Sequence, residues 1–245
     1  NRTFTTTNRN TENMAEFINP IGKIRGKFGN VIPYVGKNGK NYCRSTSLER
    51  KAGGEGQKRQ SVAFGTTASR KRWLTSVIRL GFPGGNGYPQ GFYGFTSANV
   101  THAVSVEKIH PEIPVNRRKK ATQEFQGTID YGKLRVAAGQ LVIPIVNAEI
   151  DAENRKVSFT SPGILFESVD CFMDDRIYAA LLYEPKHRCL VKELGKRGEI
   201  LNTTVDFPRD ATADKLIIYV FAKNADGKDV SDSVCLQKPE QKTLN

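Results

Sequence analysis

The sequence predicts a mainly β protein with a minor α part, in which a β-hairpin and helix module precedes a fibronectin- or immunoglobulin-like β-sandwich. Three patterns predict this fold: an Asn-Gly turn between two strand-like runs, one long helical segment, and a series of short strands in the second half. With 245 residues the chain can form one large domain or two ordinary ones. We expect an N-terminal extension over residues 1–13, a basic module over 14–128 and the sandwich over 129–245.

The hairpin is predicted from residues 22–45. In its opening GKIRGKF, cations alternate with glycine or apolar residues, which is the period of a half-buried strand. The apolar run 31–35 continues this strand, and Asn38-Gly39 predicts a type I′ turn, because both central positions of that turn need positive φ. Its cations are expected on or near one surface: Lys23, Arg25, Lys27, Lys37 and Lys40. This surface suits a polyanion or an acidic protein, or it is a solvated edge that blocks aggregation.

A helix is predicted over residues 57–80. Its apolar stripe is predicted to contain Ala68, Trp73, Leu74, Val77 and Ile78, with Val62 and Phe64 near its start. Arg70, Lys71 and Arg72 lie largely off this stripe and either extend the basic surface or form a solvated helix face. A short second helix over 95–106 and an extended segment over 109–115 follow. The next loop carries a run of four cations: Arg117, Arg118, Lys119 and Lys120.

The second half predicts a sandwich, because turn signals separate short apolar runs about every ten residues. We expect strands over 141–149, 155–160, 176–183, 188–194, 200–207, 215–223 and 230–237. The run LIIYVF at 216–221 is expected to be the central strand, followed by a hairpin turn at 224–228. Asn224, Asp226 and Asp229 resemble calcium ligands only weakly, since the glutamate of an EF-hand loop is missing. No metal or cofactor is predicted.

The charge is distributed unevenly along the chain. Residues 1–135 contain 23 Lys and Arg against 8 Asp and Glu, a balance of +15, whereas residues 136–245 contain 14 against 17, a balance of −3; together these give the net charge of +12. Such asymmetry indicates an anionic partner for the basic half. No apolar run approaches the roughly 18 residues of a membrane span. Four cysteines without C-x-x-C spacing, and the lack of a signal peptide, favour a cytoplasmic or particle-associated protein.

The opening pattern also carries a family resemblance. The matching positions are Asn19-Pro20, Gly22-Lys23, Gly26-Lys27, Gly29-Asn30, Tyr34, Gly39-Lys40 and Arg44-Ser45. Later matches are Ile78 to Phe82, Ile129 to Tyr131, and Asp226 to Val234. In their order these motifs resemble the Bacteroidota family called domain of unknown function 6266, over about residues 17 to 236. The opening more weakly resembles N-terminal modules of phage-type structural proteins. Both families continue with a Gln- and Arg-containing pattern, of which this chain keeps Gln57 alone.

The sequence does not predict an enzyme. It lacks the G-x-S-x-G, H-E-x-x-H, Walker A and kinase signatures, and the pair of His187 and Cys189 has no third group to orient it. We therefore expect a non-catalytic structural or assembly protein that docks through its basic module onto copies of itself or other subunits, in a phage-derived particle, tail or surface assembly. The rival is a nucleic-acid-binding protein that uses the same cations. In the N-terminal extension, Phe4, Thr5, Thr6 and Thr7 are expected to form an assembly arm.

Overall fold

A computed structural model of the chain describes residues 14–16, 26–46, 53–85, 89–116 and 118–238. The chain divides into two compact units, Asn1–Ala52 and Gly53–Asn245. The boundary expected between residues 128 and 129 therefore falls inside the second unit. There the helical segment and the strands share one core, so that part of the expected basic module belongs to the same unit as the strands after residue 128.

The first unit contains an antiparallel sheet of three strands: β1 (Met14–Glu16), β2 (Val31–Val35) and β3 (Asn41–Ser45). Their order in the sheet is β1-β3-β2. The hairpin of β2 and β3 was predicted and is present, but its loop differs. Gly39 is its one residue with positive φ, at 77°. Its amide donates to the Gly36 carbonyl at 3.0 Å, and the Gly36 amide donates to the Lys40 carbonyl at 2.9 Å. This is a three-residue loop closed by a left-handed glycine, rather than a type I′ turn.

The strand predicted over residues 22–28 is not continuous with β2. Gly26 and Gly29 have φ values of 126° and 59°, and Phe28 and Val31 exchange backbone hydrogen bonds of 2.8 and 2.9 Å across a tight turn. The chain therefore reverses between Lys27 and β2, because two glycines adopt conformations that other residues rarely reach. Residues 22–25 of this prediction lie outside the described part of the chain.

The second unit begins with α1 (Glu55–Gly81) and α2 (Gly91–Asn99). Its strands are β4 (Val104–Lys108), β5 (Phe125–Ile129), β6 (Asn147–Asp151), β7 (Lys156–Ser161), β8 (Arg176–Tyr183), β9 (Arg188–Lys196), β10 (Leu201–Asp206), β11 (Leu216–Lys223) and β12 (Val234–Gln237). The mainly β class with a minor α part is thus confirmed. The second helix ends at Asn99, and residues predicted to continue it form β4, which pairs with β5.

The core of the second unit lies on both faces of a four-stranded sheet of order β12-β11-β8-β9. One face packs against a three-stranded sheet of order β10-β7-β6, with Phe159 and Leu181 between them. The opposite face packs against α1 and α2, where Leu74 contacts the same cluster as Tyr219. Because β11 is covered on both faces, its run LIIYVF is apolar throughout instead of alternating.

Helix α1 buries Val62, Ala63, Leu74, Val77 and Ile78, close to the predicted stripe. Phe64 was assigned to that stripe but is 51% exposed, because Ala63 takes the inward position one residue earlier. No helix among the described residues combines the length and the hydropathy needed to span a lipid bilayer.

Candidate functional site

Three loops meet at one end of the two packed sheets: residues 142–145 before β6, residues 162–175 between β7 and β8, and residues 197–200 between β9 and β10. We call these segments the loop end. Backbone hydrogen bonds join them. The Val142 amide donates to the Asp170 carbonyl at 2.8 Å, and the Ile164 amide donates to the Arg197 carbonyl at 3.0 Å. The loops are thus fixed against one another.

A buried ion pair holds the loop end from within. The Asp175 carboxylate lies 3.3 Å from Arg197 Nε, and both side chains are almost fully buried. Arg197 also donates to the Val142 carbonyl at 2.6 Å and to Cys171 Sγ at 3.1 Å, so one guanidinium contacts segments from two loops. Burial raises the pKa of the Asp175 carboxyl, while the Phe172 amide and Arg197 offset part of this effect.

The outer surface of the loop end is apolar. Five side chains there are between 73% and 85% exposed: Ile145, Leu165, Phe166, Val169 and Ile200. Four more are between 39% and 46% exposed: Val142, Ile143, Phe172 and Met173. Single exposed apolar residues are common on protein surfaces, but a group on adjoining loops marks an interaction site.

The loop end was not among the sites predicted from the sequence. One pattern in the sequence could have indicated it. Apolar runs such as ILF at 164–166 and IPIV at 143–146 lie beside or include proline and glycine, which are turn residues. Turn-rich segments are normally polar, whereas these carry large apolar residues. Acidic residues surround them, since residues 162–175 contain Glu167, Asp170, Asp174 and Asp175 and no Lys or Arg.

The predicted cations of the first unit are only partly described. Lys27, Lys37 and Lys40 are exposed, with Lys37 and Lys40 flanking the hairpin turn. Lys23 and Arg25 lie outside the described residues, so the expected common face of Lys23, Arg25 and Lys27 stays a prediction. The arm residues Phe4, Thr5, Thr6 and Thr7 also lie outside them.

The cations of α1 make separate contacts within the second unit. Arg70 lies 3.7 Å from Glu184, and the Lys71 ammonium lies 4.6 Å from the centre of the Phe92 ring. Arg72 is exposed. Trp73, which was predicted to lie in the core, is half-buried. Its ring stacks on the His187 ring, with the two centroids 5.7 Å apart.

The cationic loop after β4 is anchored by Lys58 of α1. The Lys58 ammonium is buried and donates to the carbonyls of Asn116 at 2.6 Å and Lys119 at 2.8 Å. It also pairs with the buried Glu124 carboxylate, which accepts the Asn116 amide at 2.7 Å. The hydrogen bond from Lys58 and the one from Asn116 lower the pKa of Glu124.

This anchor exposes Arg118, Lys119 and Lys120 on a loop of defined shape. Arg117 is outside the described residues. The fixed main chain reduces the entropy cost of presenting these cations to an anionic partner.

Four of the residues considered for catalysis or metal binding have structural partners: His187, Cys189, Asn224 and Asp229. Cys189 Sγ accepts a hydrogen bond from Ser76 at 3.6 Å, and burial raises the pKa of its thiol. His187, at φ 51°, stacks on Trp73 instead. Asn224 Oδ1 accepts the amides of Lys228 at 2.9 Å and Asp229 at 3.0 Å, which closes the predicted turn after β11.

Comparisons with protein-family models, curated proteins and solved structures found no match. The resemblance to domain of unknown function 6266 therefore stays a prediction.

Proposed function

We propose that this chain is a non-catalytic assembly protein that binds a protein partner through the loop end of its sandwich. The observation that supports this most directly is the group of exposed apolar side chains on loops fixed by Arg197 and Asp175. A preorganised apolar surface loses little conformational entropy on binding, and the burial of its side chains is favourable. The weaker phage-type resemblance suggests a particle, tail or surface assembly as the setting.

We also propose that the sandwich is of the fibronectin type III kind. Counted from β6, the first, second and fifth strands form one sheet, and the third, fourth, sixth and seventh form the other. This distribution supports the fibronectin arrangement. In such sandwiches the loops cluster at the two ends, where binding surfaces commonly lie.

Charge favours a basic protein surface as the partner of the loop end. The three exposed acids of residues 162–175, Glu167, Asp170 and Asp174, would be repelled by an anionic lipid surface and attracted by cations. The first 135 residues of the chain itself carry a balance of +15. A second copy, docked head to tail with its basic half on the loop end, would satisfy both the apolar and the charged groups. Such a heterologous contact repeats into a ring or a filament.

The direct test replaces the two most prominent apolar neighbours, as Leu165→Ser with Phe166→Ser, and measures particle size by light scattering. We expect the parent protein to form an assembly and the double variant to lose most of it. The control is Glu149→Ser with Lys192→Ser, because both residues are exposed on strands, outside the loop end and outside the first 135 residues. A parent protein that stays monomeric at high concentration, or a double variant that assembles like the parent, would exclude this function.

Nucleic-acid binding is the second candidate, and the anchored cationic loop favours it. Lys58 holds the carbonyls of Asn116 and Lys119 inward, which leaves the side chains of residues 118–120 exposed. Cations on a fixed loop can neutralise neighbouring phosphates. Binding that weakens steeply with salt, together with a monomer in light scattering, would favour this candidate over assembly.

A further inference from the structure

The outer edge of β5 is the backbone wall of a groove. Strand β5 pairs with β4 on one side, and this sheet has two strands in the described part of the chain. In the register, Gly127 lies opposite Val106 and Ile129 opposite Val104. The adjacent Asp130 amide donates to the Ala103 carbonyl, so Ala103 and Asp130 are a hydrogen-bonded pair. Hydrogen-bonded and non-hydrogen-bonded pairs alternate along antiparallel strands, so the pairs that contain Gly127 and Ile129 are non-hydrogen-bonded. The amides and carbonyls of Gly127 and Ile129 therefore point away from β4.

Gly127, Thr128 and Ile129 line a groove of about 340 Å³, opposite Arg70, Glu184 and Lys238. Glycine is required at 127 by the helix beside it, because an added Cβ would lie 2.2 Å from Thr66 Oγ1. The strand has the sequence FQGTI, without the lysine or proline that commonly protects an exposed edge. The groove thus presents an unprotected backbone edge.

The unsatisfied side-chain groups along this groove are hydrogen-bond donors. Arg70 Nε and the Tyr131 hydroxyl are both buried and have no partner at good hydrogen-bond geometry among the described residues, although Arg70 and Glu184 both lie close to that hydroxyl. Lys238 is exposed and has no ion-pair partner there. The acids of the groove are already engaged, since Asp130 accepts the Gly132 amide at 2.9 Å and Glu184 faces Arg70 at 3.7 Å.

We propose that this groove binds an extended acidic peptide segment of a partner protein, which adds as a strand to the open edge of β5. Main-chain hydrogen bonds to Gly127 and Ile129 hold the segment, and Arg70 and Lys238 receive a carboxylate of the segment, with the Tyr131 hydroxyl as a further donor. Strand addition of this kind takes its affinity from the main chain and its specificity from alternate side chains. The site is separate from the loop end and does not depend on the assembly function.

The test uses a fluorescein-labelled alternating Thr-Glu octapeptide, with the Thr-Lys octapeptide as its charge-reversed control. Fluorescence anisotropy is expected to give binding of the Thr-Glu peptide in low salt and at least tenfold weaker binding of the Thr-Lys peptide. Arg70→Gln and Lys238→Gln are each expected to weaken binding of the Thr-Glu peptide about tenfold, the effect of losing one charge-assisted hydrogen bond. Arg79→Gln, exposed on the same helix and outside the groove, is the matched control.

The strand-addition geometry is tested from the peptide side, so that no variant has to fold. N-methylation of every second residue of the peptide can fall on either of two alternating sets of amides. Methylation of the set whose amides would donate to the carbonyls of Gly127 and Ile129 is expected to abolish binding. Methylation of the other set of amides is expected to be tolerated, since these amides face away from β5. The proposal would be overturned if methylation of either set had the same effect, if the Thr-Lys peptide bound as tightly as the Thr-Glu peptide, or if the Thr-Glu peptide did not bind. If a peptide of residues 1–13 competes for the groove more strongly than the unlabelled Thr-Glu peptide does, the groove is instead assigned to this chain's own N-terminal segment.

Discussion

Arg197 and Asp175 form an almost fully buried ion pair, with Nε 3.3 Å from Oδ2, within the loops that carry the exposed apolar side chains of the loop end. The pair connects residues 142–145, 162–175 and 197–200, which are far apart in sequence. The same pair therefore affects both the stability of the fold and the shape of the proposed binding surface.

Replacing Arg197 alone should be severely destabilising. Arg197→Ala leaves the Asp175 carboxylate buried without a partner, and the loss of one member of a buried pair costs about 3–5 kcal/mol. Urea unfolding should detect this decrease in the free energy of unfolding. The double variant Arg197→Met with Asp175→Leu should recover much of that loss, because it removes both charges. A double variant as unstable as the single one would contradict this account of the pair.

The pH dependence of stability should report the pairing of Lys58 with Glu124. The pKa of Glu124 is lowered in the folded protein, so its contribution to stability is present above its ordinary pKa of about 4.5 and is lost as the pH falls below that value. The difference in the free energy of unfolding between the parent and Glu124→Gln should therefore shrink on acidification from pH 6 to pH 3. Glu149→Gln, at an exposed position of β6, is the control for the loss of one surface carboxylate.

If the chain binds nucleic acid, the anchored loop should determine much of the salt dependence. Changing Arg117, Arg118, Lys119 and Lys120 together to Ser is expected to flatten the dependence of log affinity on log salt by about three to four units, roughly one per lost phosphate contact. Gel shifts or anisotropy at several salt concentrations measure the slope. An unchanged slope, or no binding by the parent protein at low salt, would remove nucleic acid from consideration.

Lys58 offers a separate test of the same loop. The double variant Lys58→Met with Glu124→Gln removes the donor that holds the carbonyls of Asn116 and Lys119 without leaving a buried carboxylate unpaired, while all the cations of the loop remain. We expect weaker polyanion binding with little change in the salt slope, because the number of phosphate contacts is retained but their preorganisation is lost. A loss of slope as large as that of the four-residue variant would show that Lys58 acts in another way.

Deletion of residues 1–13 tests the assembly arm. These residues carry little apolar surface, and ordering each would cost about 1–2 kcal/mol of backbone entropy. We expect the truncated protein to keep its melting temperature and to form smaller particles in light scattering. An unchanged particle size would argue against the arm, and a much lower melting temperature would indicate that the segment belongs to the fold of its own chain.

Local patterns in the sequence were enough to predict several of the regular elements. The Asn-Gly pair predicted the hairpin of β2 and β3, the stripe around Leu74 predicted α1, and the apolar run at 216–221 predicted the central strand. The positions of these elements were predicted because chain reversal and hydrophobic periodicity depend on neighbouring residues, although the hairpin loop is not the type I′ turn that was expected. The tight turn at Gly29 and the strands β4 and β5 were missed, since a charge alternation can cross a turn and short strands carry weak patterns.

The sites depend on contacts between residues far apart in the chain. Arg197 meets Asp175 and Val142 only after the sheets have packed, and Arg70 faces the edge of β5 only after α1 lies beside it. Composition did indicate a basic half and an acidic half, because net charge is a sum over residues and needs no geometry. Which apolar residues stay exposed, and which cations already have partners, was decided by tertiary packing, because burial and pairing are properties of spatial neighbours.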